Sequence, residues 1–135
     1  MKELRIRAET QNLDTVQAFV NETLETAGFD ESQILKVDLA VEEIFCNIAN
    51  YAYRPEQGDV WIRCEISRED PDQVEIVFMD AGIPYNPMDR AEPDLTLGAE
   101  ERAIGGLGVY LARKMMDSME YRHEAGRNIL TVTKR

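Results

Sequence analysis

The spacing of apolar residues switches between two periods along this chain, and that switch constrains the fold more than any other feature. Residues 3–8 alternate apolar and polar side chains, which predicts a strand with one buried face. Residues 13–27 and 31–53 instead carry apolar side chains three and four positions apart, as amphipathic helices do. A chain that begins with one strand and two such helices needs a sheet on which both helices can pack.

The strand period returns later in two pairs of segments. Residues 60–66 precede residues 74–79 across a turn, and residues 118–124 precede residues 129–134 across a second turn at 125–128. Both turns are built from residues that favour tight turns. Each pair therefore predicts an antiparallel hairpin.

Residues typical of helix ends mark the two long helices. Asn12 is placed to cap the first helix, and Gly28 is placed to end it. Asp30 with Gln33 three residues later predicts a capping box for the second helix, which we expect to run to about Tyr53.

A third helix is predicted from Val109 to Asp117, which gives about five strands and three helices in all. Such a set of elements predicts an α+β two-layer sandwich. The 135 residues have the length of one domain, so we expect residues 1–135 to form a single domain.

Charge and composition exclude several classes of protein. Twenty-six acidic residues against 15 basic ones give a formal charge of −11, which disfavours binding to nucleic acid or to a membrane surface. The chain has no run of 18 apolar residues and no signal-peptide core at its N-terminus, so we expect a cytoplasmic protein. Cys46 and Cys64 fall inside predicted elements and are expected to be reduced core residues.

The second helix carries a narrow polar row on a mostly apolar surface. Glu43, Asn47 and Asn50 are spaced four and then three residues apart, so their side chains share one face. One carboxylate and two amides in this setting are typical of the floor of a polar pocket. The alternative, equally compatible with the sequence, is that these side chains face water beside a loop.

The second strand of the first hairpin ends in a turn with a candidate acceptor. Asp80 is followed by Gly82 and Pro84, and its carboxylate could accept a hydrogen bond from a ligand. A plain Asp-x-Gly turn explains the same residues when they are taken alone. The segment that follows, residues 85–104, has no sustained period, which is typical of a binding loop or lid.

Gly105, Gly106 and Gly108 lead directly into the third helix. Free backbone N–H groups and the positive end of a helix dipole favour phosphate at such a position. No Gly-Lys-Ser/Thr follows, so the segment is not a P-loop. Leu111 stands where a dinucleotide fingerprint needs its third glycine, although a dinucleotide-binding enzyme stays an alternative. A tight helix entry is the structural alternative.

In combination, these motifs resemble the N, G1 and G2 boxes of the GHKL (Bergerat) ATP-binding fold. The resemblance is closest to the single-domain anti-sigma-factor serine/threonine kinases, the RsbW-like branch of the histidine-kinase-like ATPases. Residues 39–53 and 104–117 match that branch well, and the resemblance covers essentially the whole chain. Two residues depart from it: Tyr51 stands where the family commonly has His, and Ala103 where many members have Pro.

The resemblance implies a role for each motif. Asn47 would ligate Mg²⁺ through its amide oxygen, Asp80 would accept from the adenine amino group, and Gly82 would let the base lie close. Glu43 would be the general base, and residues 85–104 would form the ATP lid. The implied nucleotide-binding residues are Asn47, Asn50, Asp80, Gly82, Pro84, Arg102, Gly105, Gly106, Leu107, Gly108 and Val109.

The family activity that follows is ATP-dependent phosphorylation of a serine or threonine on another protein. By resemblance, the substrate would be a small STAS-type anti-sigma-factor antagonist, and the chain would sequester a sigma factor or a similar regulator as a homodimer. ATP or ADP and Mg²⁺ are the implied cofactors. A non-catalytic binding module of the same fold, gated by ATP and ADP, is the alternative.

Overall fold

A computed structural model describes residues 2–53, 56–87 and 109–135. The predicted glycine loop and most of the predicted lid lie outside these ranges. Within them, three α-helices and five strands confirm the predicted α+β two-layer sandwich. The elements are β1 Lys2–Arg7, a 3₁₀ turn Thr10–Asn12, α1 Leu13–Thr26, α2 Glu31–Tyr51, β2 Asp59–Ile66, β3 Val74–Asp80, α3 Tyr110–Met115, β4 Ser118–Glu124 and β5 Arg127–Lys134.

The five strands form one sheet in the order β1-β2-β3-β5-β4, and every neighbouring pair is antiparallel. Both predicted hairpins are present. The dinucleotide alternative needs parallel strands joined through helices, which this sheet does not contain in its described part. In the second hairpin, Ala125 and Gly126 both have positive φ, so a two-residue turn starts β5 at Arg127, two positions earlier than predicted.

The hydrophobic core lies between one face of the sheet and the two long helices. Inward residues of β2 and β3 alternate with outward ones, as the sequence period predicts. The largest side chains that are fully buried are Phe45, Phe78, Leu24, Ile44, Ile62, Ile76, Val16, Val20, Val37, Val41, Val60 and Val74. In the described ranges, no helix is both long enough and apolar enough to cross a bilayer.

Two of the three predicted helix-end features are confirmed. The Asp30 carboxylate accepts from the Gln33 backbone N–H at 2.8 Å, and the Gln33 side chain accepts from the Asp30 N–H at 3.0 Å. Gly28 has φ +86° just after α1. The prediction for Asn12 is wrong, because a 3₁₀ turn precedes α1 and the Asn12 side chain donates to the Arg7 carbonyl instead.

The C-terminal end of α2 is held against the turn that follows β3. Ile83 N–H donates to the Ala52 carbonyl at 3.0 Å. A Cβ built on Gly82 would lie 2.1 Å from that same carbonyl oxygen. A glycine is therefore required here by the close approach of the α2 backbone, and this contact fixes the position of β3's end relative to α2.

Gly82→Ala is expected to lower the free energy of unfolding by about 1–3 kcal/mol, because backbone atoms must move to admit the methyl group. Chemical denaturation of the variant and the wild type measures the difference. Gly28→Ala is the control. No atom lies within 4 Å of the carbon added at Gly28, so this variant tests only the strain of placing alanine at a positive φ. Wild-type stability in the Gly82 variant would contradict the close contact.

Candidate functional site

A cavity of about 290 Å³ opens between α2 and the inner face of the sheet. The α2 helix forms one wall, the ends of β3 and β5 form the floor, and the turn after β3 forms the rim. Its lining residues are Ile44, Asn47, Ile48, Tyr51, Ala52, Phe78, Asp80, Ile83, Tyr85, Pro87, Val109, Tyr121, Asn128 and Leu130. Three stretches of chain that are distant in sequence therefore meet at one cavity.

The three polar residues predicted to share one face of α2 lie in three different environments. Asn47 lines the cavity, as the pocket-floor interpretation expected. Glu43, one turn earlier, contacts α3 instead. Asn50 is exposed and lines a separate polar groove beside Glu9 and Gln57, so the fold does not bring it to the cavity.

Asp80 is the buried acid of the cavity, with 5% of its surface exposed. Its Oδ1 accepts from the Gly82 N–H at 2.9 Å and from the Asn128 side-chain amide at 2.9 Å. Burial raises the pKa of the Asp80 carboxyl, and the two donors act in the opposite direction. Because both protein donors converge on Oδ1, Oδ2 has no protein donor among the described residues and stays available to accept from a ligand.

Asn128 holds this acid in place, and the sequence analysis missed it. Its Nδ2 donates to Asp80 and also to the Ile83 carbonyl at 2.8 Å. Its Oδ1 accepts from the Tyr85 N–H at 3.2 Å and from the Tyr121 hydroxyl. The buried amide therefore uses both donors and both acceptor positions.

A signal for Asn128 existed in the sequence. Residues 128, 130 and 132 alternate onto the inward face of β5, and an amide at an inward position needs partners. The residue was instead assigned to the hairpin turn. Only the register, in which Asp80 lies directly opposite Asn128, identifies its partner.

Glu43 lies between α2 and α3. Its Oε2 accepts from the Ala112 backbone N–H at 2.7 Å, which is one of the unpaired N–H groups in the first turn of α3. Burial raises the pKa of Glu43 to about 7, although the Ala112 hydrogen bond opposes that shift. A carboxylate with this pKa can exchange a proton near neutral pH, which suits a general base.

Of the other predicted site residues, some lie at or beside the cavity and the rest lie outside the described residues. Val109 is buried and lines the cavity, while Pro84 is exposed beside the lining residues Ile83 and Tyr85. Gly82 contacts Ala52, so the space that a side chain would fill there is already occupied by protein. The remaining ones lie outside the described residues: Arg102, Gly105, Gly106, Leu107 and Gly108.

The residues that line the cavity suit the base of a nucleotide. Apolar walls such as Ile48 and Phe78 can cover both faces of a flat ring, and Asp80 can accept from a donor on its edge. Asn47 adds one hard amide oxygen, which is compatible with Mg²⁺ when phosphates and water complete the coordination. Among residues 2–53, 56–87 and 109–135, no three His, Cys, Asp or Glu side chains converge to hold a metal by themselves.

Comparison with protein families decides the relationship. The family model described as "Histidine kinase-like ATPase domain" matches residues 6–134, nearly the whole chain. The chain belongs to the histidine kinase-like ATPase family. ATPases bind nucleotides, and the cavity lined by Asp80 is compatible with a bound nucleotide.

Within this family, the chain is similar to proteins named serine-protein kinase RsbW. The protein of that name from Bacillus cereus (strain AH187) is 25% identical over 132 residues, covering 95% of this chain and 81% of the relative. The one from Bacillus anthracis (strain CDC 684 / NRRL 3495) is 24% identical over the same shares. These matches support the RsbW-like branch that the motifs indicated.

Solved structures of histidine kinase-like ATPases share the fold. The RsbU and RsbW domains of Rv1364c from Mycobacterium tuberculosis match with a TM-score of 0.65 at 19% identity, covering all of this chain (100%) and 32% of that one. The chain thus spans about a third of that structure's length. The histidine kinase domain of EL346 from Erythrobacter litoralis matches with a TM-score of 0.55 at 13% identity, covering 93% of this chain and 59% of that one.

Asn128→Asp is expected to destabilise the protein at pH 7 by more than about 2 kcal/mol, because it places a second carboxylate against Asp80 in a buried site. Protonation of one carboxyl relieves the repulsion, so the loss relative to wild type should shrink as the pH falls from 7 to 5. Urea unfolding at both pH values measures it. Asn50→Asp, an exposed amide-to-acid change, is the control. A loss that is independent of pH would contradict the direct contact.

Proposed function

We propose that this chain is an ATP-dependent protein serine/threonine kinase of the partner-switching type. The observation that carries the proposal is the placement of Glu43 one helical turn before Asn47. The first has a pKa raised to about 7, and the second lines the cavity of about 290 Å³. A general base and a candidate metal ligand thus project from the same stretch of α2.

Recognition of ATP would begin at Asp80. Its Oδ2 would accept from the adenine amino group while Oδ1 stays bound to Asn128 and Gly82. Asn47 would hold Mg²⁺ through its amide oxygen, and the metal would neutralise charge on the phosphates. The segment from Gly105 to Val109 would bind those phosphates through backbone N–H groups, as the motif resemblance implies.

Phosphoryl transfer would use Glu43 as the base. As the serine or threonine hydroxyl attacks the γ-phosphorus, its proton would pass to the Glu43 carboxylate. An O–P bond forms to the substrate while the bond between the γ-phosphorus and the bridging oxygen breaks, so ADP leaves. Oε2 already accepts from the Ala112 N–H, which orients the carboxylate at the start of α3.

Exposed leucines beside Glu43 support a protein as the substrate. Leu39 lies one turn before it on α2 and is 37% exposed, and Leu35 is 59% exposed. Leu111, next to Ala112 on α3, is 39% exposed. Apolar side chains grouped around a candidate base are typical of a surface that a partner covers.

The partners follow from the similarity to RsbW. We propose that the phosphorylated protein is a small STAS-type antagonist, and that the chain sequesters a sigma factor or similar regulator in the cytoplasm. Residues 85–104 would be the ATP lid, with Arg102 near the terminal phosphate. A homodimer would be the working unit.

A non-catalytic binding module, gated by ATP and ADP, is the second candidate. The hydrogen bond from Ala112 to Glu43 favours it, because that contact stabilises α3 whether or not the carboxylate takes part in chemistry. A phosphotransfer assay separates the two candidates, since the module would bind ATP without transferring phosphate.

Asp80→Asn is expected to weaken ATP binding about tenfold to a hundredfold, the range for a hydrogen bond to a charged group. Two donors hold the oxygen at the Oδ1 position, so the new amide nitrogen would face the adenine amino group, donor against donor. Titration calorimetry with Mg-ATP measures the loss. Asp72→Asn, in the exposed turn after β2, should bind as wild type does, and equal affinity in both variants would contradict the role of Asp80.

Glu43→Gln is expected to lower the phosphotransfer rate about 10²–10⁴-fold while leaving ATP affinity within a factor of about three. Gln can still accept from Ala112 but cannot take a proton. The wild-type rate should rise with pH through about 7 as Glu43 ionises, and the variant should lose that rise.

The assay uses labelled ATP and a STAS-type antagonist. Glu42→Gln, the exposed neighbouring acid, is the matched control and should keep wild-type activity. Undiminished transfer in the Glu43 variant would exclude it as the base. A wild-type chain that binds ATP but transfers no phosphate would favour the module.

A further inference from the structure

A polar groove separate from the cavity lies beside the C-terminal half of α2, and the proposed chemistry does not use it. Its volume is about 330 Å³. Three parts of the chain contribute to it: the segment between β1 and α1, the helix α2, and the residues just before β2. The lining residues are Ala8, Glu9, Thr10, Gln11, Ala49, Asn50 and Gln57.

Several polar side chains of this groove have hydrogen-bonding capacity that the protein does not use. The Asn50 amide has no side-chain partner among the described residues. Gln57 uses its oxygen, which accepts from Arg7 at 3.3 Å, and Gln11 uses its nitrogen, which donates to Glu9 at 2.9 Å. The groove therefore offers a donor on Gln57, an acceptor on Gln11, and both on Asn50.

Charge limits the class of ligand that this groove can take. Glu9 is the only charged side chain among the described residues that line it, on a chain whose formal charge is −11. A phosphate or carboxylate group would be repelled here, because no lining cation offsets the repulsion. The groove suits a neutral ligand that both donates and accepts. The main chain of a polypeptide is such a ligand, since each residue other than proline presents one N–H and one C=O.

The groove begins beside the residues that we propose for phosphoryl transfer. Asn50 lies three residues after Asn47 on α2, so their side chains are neighbours, with Cβ atoms about 5–6 Å apart. Glu43 lies seven residues before Asn50, about 10 Å along the helix axis. An extended chain rises about 3.3 Å per residue, so about three residues cover that distance.

The exposed leucines lie on the other side of Glu43 along the same helix. Leu39 is one turn before Glu43 and Leu35 is two turns before it, whereas Asn50 is two turns after it. At about 100° per residue, these four positions fall within about 80° of one another around α2. A protein that presents a hydroxyl to Glu43 would therefore reach the leucines in one direction and the groove in the other.

We propose that this groove binds the main chain of the substrate protein in an extended form, at the residues that flank the phosphorylated serine or threonine. With the hydroxyl at Glu43, the residues about two to four positions away lie in the groove. There Asn50 and Gln57 donate to main-chain carbonyls, and Asn50 and Gln11 accept from main-chain N–H groups. The inference rests on the proposed function, because it needs a protein as the substrate.

This form of recognition selects a conformation of the substrate. Hydrogen bonds to N–H and C=O groups are the same for most side chains, so they supply affinity without reading the sequence. The phosphorylated residue must then be flanked by a segment whose main-chain groups are unpaired, as in a loop or at the edge of a sheet. The interior of a helix would not fit, because its main-chain groups are already paired.

An affinity series at position 50 tests the groove. Titration calorimetry with a STAS-type antagonist uses the full chain with Mg-ADP bound, so that no phosphate is transferred. Asn50→Ala removes the donor and the acceptor together and is expected to weaken binding about tenfold, as for one or two hydrogen bonds. Asn50→Gln keeps both groups and should bind within about threefold of wild type.

A matched control and two further measurements separate a lost contact from other causes. Gln73→Ala removes a side-chain amide from the turn between β2 and β3, at the opposite end of the sheet, and should bind as wild type does. Urea unfolding and Mg-ATP titration should give wild-type values for every variant. In the phosphotransfer assay, Asn50→Ala should raise KM for the antagonist about tenfold and leave kcat within about threefold, because the lost bonds are made before and during transfer.

Hydrogen exchange on the antagonist tests the main-chain contact itself. Mass spectrometry of the saturated complex should show slowed exchange at N–H groups within about four residues of the phosphorylated serine or threonine. Asn50→Ala, compared at equal saturation, should reduce that protection. Equal protection by both proteins, or no protection in this segment, would overturn the proposal.

Three affinity results would also overturn it. They are wild-type affinity in Asn50→Ala, an equal loss of affinity for the antagonist and for Mg-ATP, and no binding of the antagonist to wild type at about 100 µM. Failure of the proposed function is measured separately. A wild type that binds the antagonist but transfers no phosphate would contradict the kinase proposal alone, because the calorimetric series does not depend on transfer.

Discussion

The hydrogen bonds of one buried amide hold the candidate site together. Asn128 joins the start of β5, the end of β3 and the turn that follows β3, because its two donors reach Asp80 and Ile83 and its oxygen accepts from Tyr85 and Tyr121. Asn128 and Asp80 are both buried, and an unpaired polar group there would be costly. The amide thereby fixes the direction in which the Asp80 carboxylate presents its second oxygen.

The two faces of the sheet have different surroundings. The inner face packs on the helices and ends in the cavity, so the proposed binding and chemistry lie on that side. The outer face combines an apolar centre with arginines and carboxylates. Because neighbouring residues on a strand point to opposite faces, Asp80 lies on the inner face and Met79 on the outer face from adjacent positions in β3.

Much of the fold follows from the sequence. Alternation predicted all five strands to within two residues at their ends, and the largest difference is the start of β5 at Arg127. The capping box at Asp30 and Gln33 correctly marked the start of α2. The prediction that Asn12 caps α1 was wrong. The preference of Asn for helix N-caps does not indicate the 3₁₀ turn that precedes α1, and the Asn12 side chain donates to the Arg7 carbonyl instead.

The site was predicted only in part, since its geometry depends on long-range register. Asp80 and Asn47 were identified by motif, and both line the cavity. Asn50 lies on α2 with Asn47 but lines another groove, because spacing predicts a helical face without indicating what covers each part of it. Asn128 and the contact between Glu43 and Ala112 depend on pairing across 48 and 69 residues, which no local pattern contains.

The central claim is that the Asp80 carboxylate, held in place by Asn128, accepts a hydrogen bond from the amino group of adenine. Titration calorimetry with ADP and with inosine diphosphate, both with Mg²⁺, tests this claim most directly. The two ligands differ at the edge of the base, where inosine has a carbonyl acceptor in place of the amino donor. The account predicts that ADP binds and that inosine diphosphate binds at least about tenfold more weakly, since its acceptor would face a carboxylate. Equal affinities, or no binding of ADP, would contradict the account.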